Sequence, residues 1–147
     1  MSPQTTPVQT LALFIGATLL LIGIFGFIPG VTSHYGDMAF AGRGSGAQLL
    51  GIFRTSVLEN LIYLLSGIVG LVIPRTHTGA RRFLVVGGAV FLALWLLGVV
   101  NGGGWIPVNG ADDWLHFALG IGMVGLGLAT ARAFGQAPHQ NDAAITT

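Results

Sequence analysis

Apolar residues fall into four long runs separated by short polar stretches. The first covers about residues 8–28 (VQTLALFIGATLLLIGIFGFI) and holds no charge. At 1.5 Å per residue it spans about 30 Å, one hydrocarbon core. The others cover about residues 49–73, 83–100 and 114–131. Transmembrane strands would alternate over about ten residues, whereas these runs are continuous, so each predicts a helix. The expected fold is all-α: an integral membrane four-helix transmembrane bundle, with residues 1–147 forming a single transmembrane domain between short mobile tails. SPQTTP carries no basic residue and GFIPG offers no small-x-small cleavage pattern, so the first run reads as a retained helix rather than a signal peptide.

The connections differ in length. About nine residues (PRTHTGARR) join the second and third runs, which predicts an antiparallel hairpin of those two helices. About 20 residues (PGVTSHYGDMAFAGRGSGAQ) join the first and second. That long outer loop carries its own apolar residues, Tyr35, Met38 and Phe40, and is expected to fold back over the mouth of the bundle. Arg75, Arg81, Arg82 and Arg132 gather on one side and Asp37, Asp112 and Asp113 on the other, with only Arg43 opposing them. The arginine-rich side is expected to be cytoplasmic, with both termini inside and the protein in a bacterial plasma membrane. Phe27, Tyr35, Trp105 and Trp114 are then the interfacial aromatics of the outer level.

Composition strengthens the membrane reading. Charged residues are 7% of the chain against roughly 25% in soluble domains. Six arginines and five acidic residues nearly cancel, so nothing points to nucleic acid. With no cysteine, disulfides, thiolate metal sites and cysteine nucleophiles are all excluded. Twenty-four glycines, among them Gly16, Gly23, Gly26, Gly67, Gly70, Gly120, Gly122, Gly125 and Gly127 inside the apolar runs, predict close helix packing or association through helices. GIGMVG (120–125) matches G-x-G-x-x-G but sits within an apolar helix, so the dinucleotide reading is rejected.

Candidate chemistry concentrates in TSVLENLIYLLSG (55–67). With a helix starting near residue 49, Glu59 lies about 15 Å deep, in the middle of the bilayer. A charge there costs about 3 kcal/mol on insertion scales, so the group must be neutral, paired or wet. Helical spacing puts Thr55, Glu59, Tyr63 and Ser66 on one face. Tyr63, Thr55 or Ser56 is expected to donate to the Glu59 carboxyl group, and Asn60 to face a neighbouring helix. Arg54 is expected to snorkel and to pair with Asp37, Asp112 or Asp113. In NGADDWLH, Asp112 or Asp113 is the expected cap of the fourth helix, and Asp112 shares a face with His116. The expected intramembrane polar cluster is therefore Arg54, Glu59, Asn60, Tyr63 and His116, with Asp37, Asp112, Asp113 and Trp114 at the outer loop and helix cap. A His/carboxylate metal site from His34, Asp37, Asp112 and His116 is a minor alternative to capping and a structural network. His77 and His139 are placed on loop and tail. No Ser/His/Asp set, phosphate loop or HExxH motif is present, and a lone helical His gives haem little support. No motif specifies a cofactor.

GIFGFIPGVT, GAQLLGIF, ENLIYLLSG and ADDWLHFALGIGMVGLG together resemble the bacterial four-helix membrane proteins of domain of unknown function family 4383, over roughly residues 8–132. The resemblance implies four transmembrane helices and no established activity. The family's second-helix H-N-x-x-H pattern reads here as Glu59, Asn60 and Tyr63. Asp113, Trp114 and His116 match its D-N-W-L-H pattern. If the family uses those histidines for metal or haem, this chain could not do so in the same way, whereas a polar network or proton site would survive the exchange.

The leading functional expectation is a non-enzymatic membrane protein, structural or accessory to a larger membrane complex or oligomer, whose partners are the lipid bilayer and neighbouring helices. The alternatives are a small proton or cation transporter using Glu59, and a membrane redox or ligand-binding subunit.

Overall fold

Thr6 and Pro7 start the first helix. Pro7 occupies a first-turn position where its missing N–H costs nothing, and Gln9 Oε1 accepts from the Thr6 N–H at 2.9 Å. From there α1 runs Pro7–Gly26. The structure, a computed structural model, describes residues 5–101 and 109–135; the expectations for Trp105, His139 and the C-terminal tail fall outside them. Three further helices follow: α2 (Val57–Val72), α3 (His77–Asn101) and α4 (Gly110–Gly135). All four are long and apolar enough to cross a membrane, as expected for a multi-pass bundle. Residues 120–125 are helical, which removes the dinucleotide reading.

Helix boundaries differ from the apolar runs in an instructive way. The second run begins at residue 49, but α2 begins at Val57. Leu49 and Phe53 lie instead in two short strands, β2 (Gln48–Leu49) and β3 (Phe53–Arg54), and β2 also pairs with β1 (Thr32–Ser33). Both pairings are antiparallel, with Thr32 opposite Leu49 and Leu49 opposite Phe53. The β2–β3 reversal is made at Leu50 and Gly51, with φ of 55° and 71°. Two successive left-handed residues match the twist of a tight hairpin, and glycine supplies one at no steric cost. Glu59 is therefore in the first turn of α2, about 3 Å along its axis, and not at the bilayer centre. Likewise α3 starts at His77 rather than near 83, which puts His77 on a helix and not a loop. Arg81 in its first turns donates from Nε to the Gly127 carbonyl at 3.2 Å.

The long connection packs on the bundle mouth. Its Ala39 and Phe40 carbonyls accept from the N–H groups of Val57 and Leu58, at 3.1 and 2.9 Å. These are first-turn donors that the helix itself leaves unpaired. Ser45 Oγ reaches the Thr55 carbonyl at 2.5 Å and also accepts from the Ala39 N–H, which ties the loop to the residue pair preceding α2.

Packing joins α1 to α2 and α3 to α4. A Cβ on Gly16 would stand 2.5 Å from the Gly70 carbonyl carbon, and one on Gly88 2.8 Å from the Gly120 oxygen, so both pairs touch backbone to backbone. Such approach is how helices gain van der Waals contact in lipid. The core between the pairs holds Leu19, Tyr63, Phe83, Leu84, Phe91 and Met123. The expected α2–α3 hairpin is thus only a connection: a short 3-10 turn (Ile73–Arg75) joins them. Their bodies then part around a groove of about 660 Å³ walled by Leu65, Val69, Val86 and Val90.

Candidate functional site

Ser56 positions Glu59. Its hydroxyl caps α2 by accepting from the Glu59 N–H at 3.3 Å, the N-cap to N3 spacing of S-x-x-E. The reciprocal half is missing, because both Glu59 carboxyl oxygens are buried without a hydrogen-bond partner. The side chain turns into the bundle, towards α4. There Asn109 plays the capping part: its Oδ1 accepts from the Asp112 N–H at 2.9 Å, while its Nδ2 donates to the Ile52 carbonyl at 2.7 Å. Asn109 therefore replaces Asp112 and Asp113 as the cap expected from sequence. The two acids occupy the first turn, where their charge suits the positive helix end.

This geometry brings Glu59, Asp112 and His116 together, all at most 2% exposed. Glu59 Oε1 is 3.5 Å from His116 Nε2, and Asp112 Oδ2 is 3.6 Å from His116 Nδ1. Both distances are too long for well-formed hydrogen bonds. The hydrogen bond in the group runs between Tyr63 Oη and His116 Nε2, at 3.0 Å. The His116, Tyr63 and Phe91 rings form a triangle, with His116 5.9 Å from each of the other two and those two 5.6 Å apart. Beside Glu59 and Asp112 a void of about 10 Å³ is lined by Leu49, Phe53, Arg54, Thr55 and Tyr63.

Other expected members fall elsewhere. Asn60 faces α1, as foreseen for a neighbouring helix: its amide lies against Gly26, and its Oδ1 accepts from the Thr55 hydroxyl at 2.6 Å. Neither Thr55 nor Ser56 donates to the Glu59 carboxyl group: the Thr55 hydroxyl donates to Asn60 Oδ1, and the Ser56 hydroxyl meets Glu59 only as acceptor of its N–H. Tyr63 is spent on His116 instead of Glu59. Arg54 sits in β3 rather than in α2, lines the void, and makes no ion pair with Asp37, Asp112 or Asp113. His34 and Asp37 are exposed on the long connection and do not join the His/carboxylate group, whose third member is Glu59. Trp114 is 70% exposed and stands edge-on to Phe117 at 5.7 Å, on the outside of the mouth.

The match that decides the family covers most of the chain: the model of the domain of unknown function DUF4383 fits residues 9–129. The chain is a DUF4383 protein. No curated protein and no solved structure matches it. In this DUF4383 protein Glu59, Asn60 and Tyr63 divide between two neighbours, Glu59 and Tyr63 facing His116 on α4 and Asn60 facing Gly26 on α1. Asn109 and Ser45 join the polar end although neither was expected there. S-x-x-E before an apolar run was the available signal for the true start of α2.

Proposed function

We infer that this DUF4383 protein is a non-enzymatic membrane protein, accessory to a larger membrane assembly or to an oligomer of its own, in a bacterial plasma membrane with both termini cytoplasmic. The observation that supports it is the distribution of buried polar side chains. Among the described residues they gather at the mouth, from Thr32 and Ser45 through Glu59, Asn60 and His116. Beyond Tyr63 the interior is Leu19, Phe91, Met123, Phe83 and paired glycines, until Gln9 meets the Pro74 carbonyl near the opposite end. A proton or ion path through the protomer would need polar groups or water in that layer. The arginines Arg75, Arg81 and Arg82 near α3's start support the orientation through the excess of basic residues on cytoplasmic loops. On α4, Ala118, Gly122, Gly125 and Ala129 are exposed at helical spacing and offer a neighbouring transmembrane helix a close approach.

Two measurements on the same preparation test this reading. Native mass spectrometry in mild detergent is expected to find an oligomer or a co-purifying membrane protein, and proteoliposomes are expected to show no proton or cation flux above empty vesicles. Flux that disappears in Glu59→Gln would replace the accessory role with transport.

A further inference from the structure

We propose that Glu59, Asp112 and His116 form a binding site for one divalent first-row transition-metal ion of the Mn²⁺, Fe²⁺ or Zn²⁺ kind, at the junction of α2 and α4. Each residue offers a ligand atom, and the three atoms lie within 4.8 Å of one another. Ligands about 2.0–2.2 Å from a shared ion stand at most about 4.4 Å apart, so loading would draw the three atoms slightly together. Proximity alone would be weak ground, since carboxylates cluster for many reasons. The second observation is that the ligand atoms are buried and unmet. Glu59 Oε1 and Oε2, Asp112 Oδ2 and His116 Nδ1 all lack a hydrogen-bond partner. Buried polar atoms are nearly always satisfied, so four orphans converging on one spot call for a missing partner.

Donor type narrows that partner. One imidazole nitrogen with two carboxylates suits Mn²⁺, Fe²⁺ or Zn²⁺; an all-oxygen site would favour Ca²⁺ or Mg²⁺, and thiolates would favour Cu⁺. Tyr63 supplies the outer support such sites use. Its hydroxyl is paired with His116 Nε2 at 3.0 Å, which orients the ring and leaves Nδ1 as the nitrogen without a hydrogen-bond partner.

The site stands apart from the accessory role, which holds or fails on association and flux. Its test uses the full chain in mild detergent, stripped with a chelator and titrated with Mn²⁺ and with Zn²⁺. One ion per chain is expected, with thermal stability rising on loading. Binding should weaken by about tenfold or more in Glu59→Gln and in Asp112→Asn, each checked for helical content by circular dichroism. Pulsed EPR of the Mn²⁺-loaded wild type should show coupling to a single imidazole nitrogen, a readout that stands even where a variant fails to fold. A wild type with no saturable binding up to about 1 mM, roughly 4 kcal/mol of affinity, overturns the proposal. So does an ion that both folded variants retain at full affinity, or bound Mn²⁺ without nitrogen coupling.

Discussion

Around Asn60 and His116 the helices meet through polar side chains, whereas around Gly16 and Gly70 they meet backbone on backbone. At the mouth, Tyr63 of α2 takes His116 of α4, and the Thr55 hydroxyl holds the Asn60 amide against Gly26 of α1, so polar side chains set the contacts. Lower down, Gly67 lies against the backbone of Leu20 and Gly70 against Gly16 and the Phe83 ring, so partners are chosen by shape. The two modes fail differently. A hydrogen bond in a membrane bundle is worth little net, because the separated helices find other partners. A backbone contact has no room to adjust, since an added methyl meets atoms that move only if a whole helix moves.

The largest effect is therefore expected where nothing chemical is lost. Gly67→Ala places its methyl on the Leu20 backbone and should destabilise the bundle by about 3 kcal/mol, the upper end for overpacking. Unfolding in mixed detergent and SDS, followed by circular dichroism, measures it. A loss below about 1 kcal/mol would mean that α1 and α2 slide apart easily, and the contrast between the halves would collapse.

Asn60→Ala comes next. It strands the Thr55 hydroxyl and empties the space against Gly26, and about 2 kcal/mol is expected in the same unfolding assay. Tyr63→Phe removes one hydroxyl and keeps the ring that packs on Phe91 at 5.6 Å, so about 1 kcal/mol is expected. If Tyr63→Phe costs as much as Gly67→Ala, the mouth is a cooperative network, and its side chains cannot be treated as separate pairs.

The sequence was a good guide to one half and a poor one to the other, and the reason is period. Apolar runs mark where lipid is, and four of them named four spanning helices. They do not mark where a helix starts, because Leu49, Leu50, Ile52 and Phe53 are as apolar in a hairpin as in a helix. Counting from the run displaced Glu59 inward by eight residues, the interval from Leu49 to Val57. Ser56 three before Glu59 marked the boundary, but a capping pattern inside an apolar run is easily read through. Within the cluster, Glu59, Tyr63, Asp112 and His116 were each visible as polar residues on shared helical faces. That Glu59 would replace His34 and Asp37 beside Asp112 depended on how α2 meets α4, which no local pattern encodes.

The smallest expected effect on stability tests the outside of the same glycine rule. Gly122 and Gly125 have open space where a Cβ would go, in contrast to Gly67, Gly88 and Gly120. Gly122→Ala should therefore leave the unfolding of the isolated protomer within about 0.5 kcal/mol of wild type, as for an ordinary surface substitution. Gly122→Leu should do the same for the protomer, because the side chain points at lipid. Association is where the larger residue acts: a helix packed on Ala118, Gly122, Gly125 and Ala129 would be pushed outward, and native mass spectrometry should show the assembly shifting towards monomer. An assembly indifferent to Gly122→Leu would place the contact on another face, with the groove between α2 and α3 as the next surface to probe by substitution at Val69 and Val86.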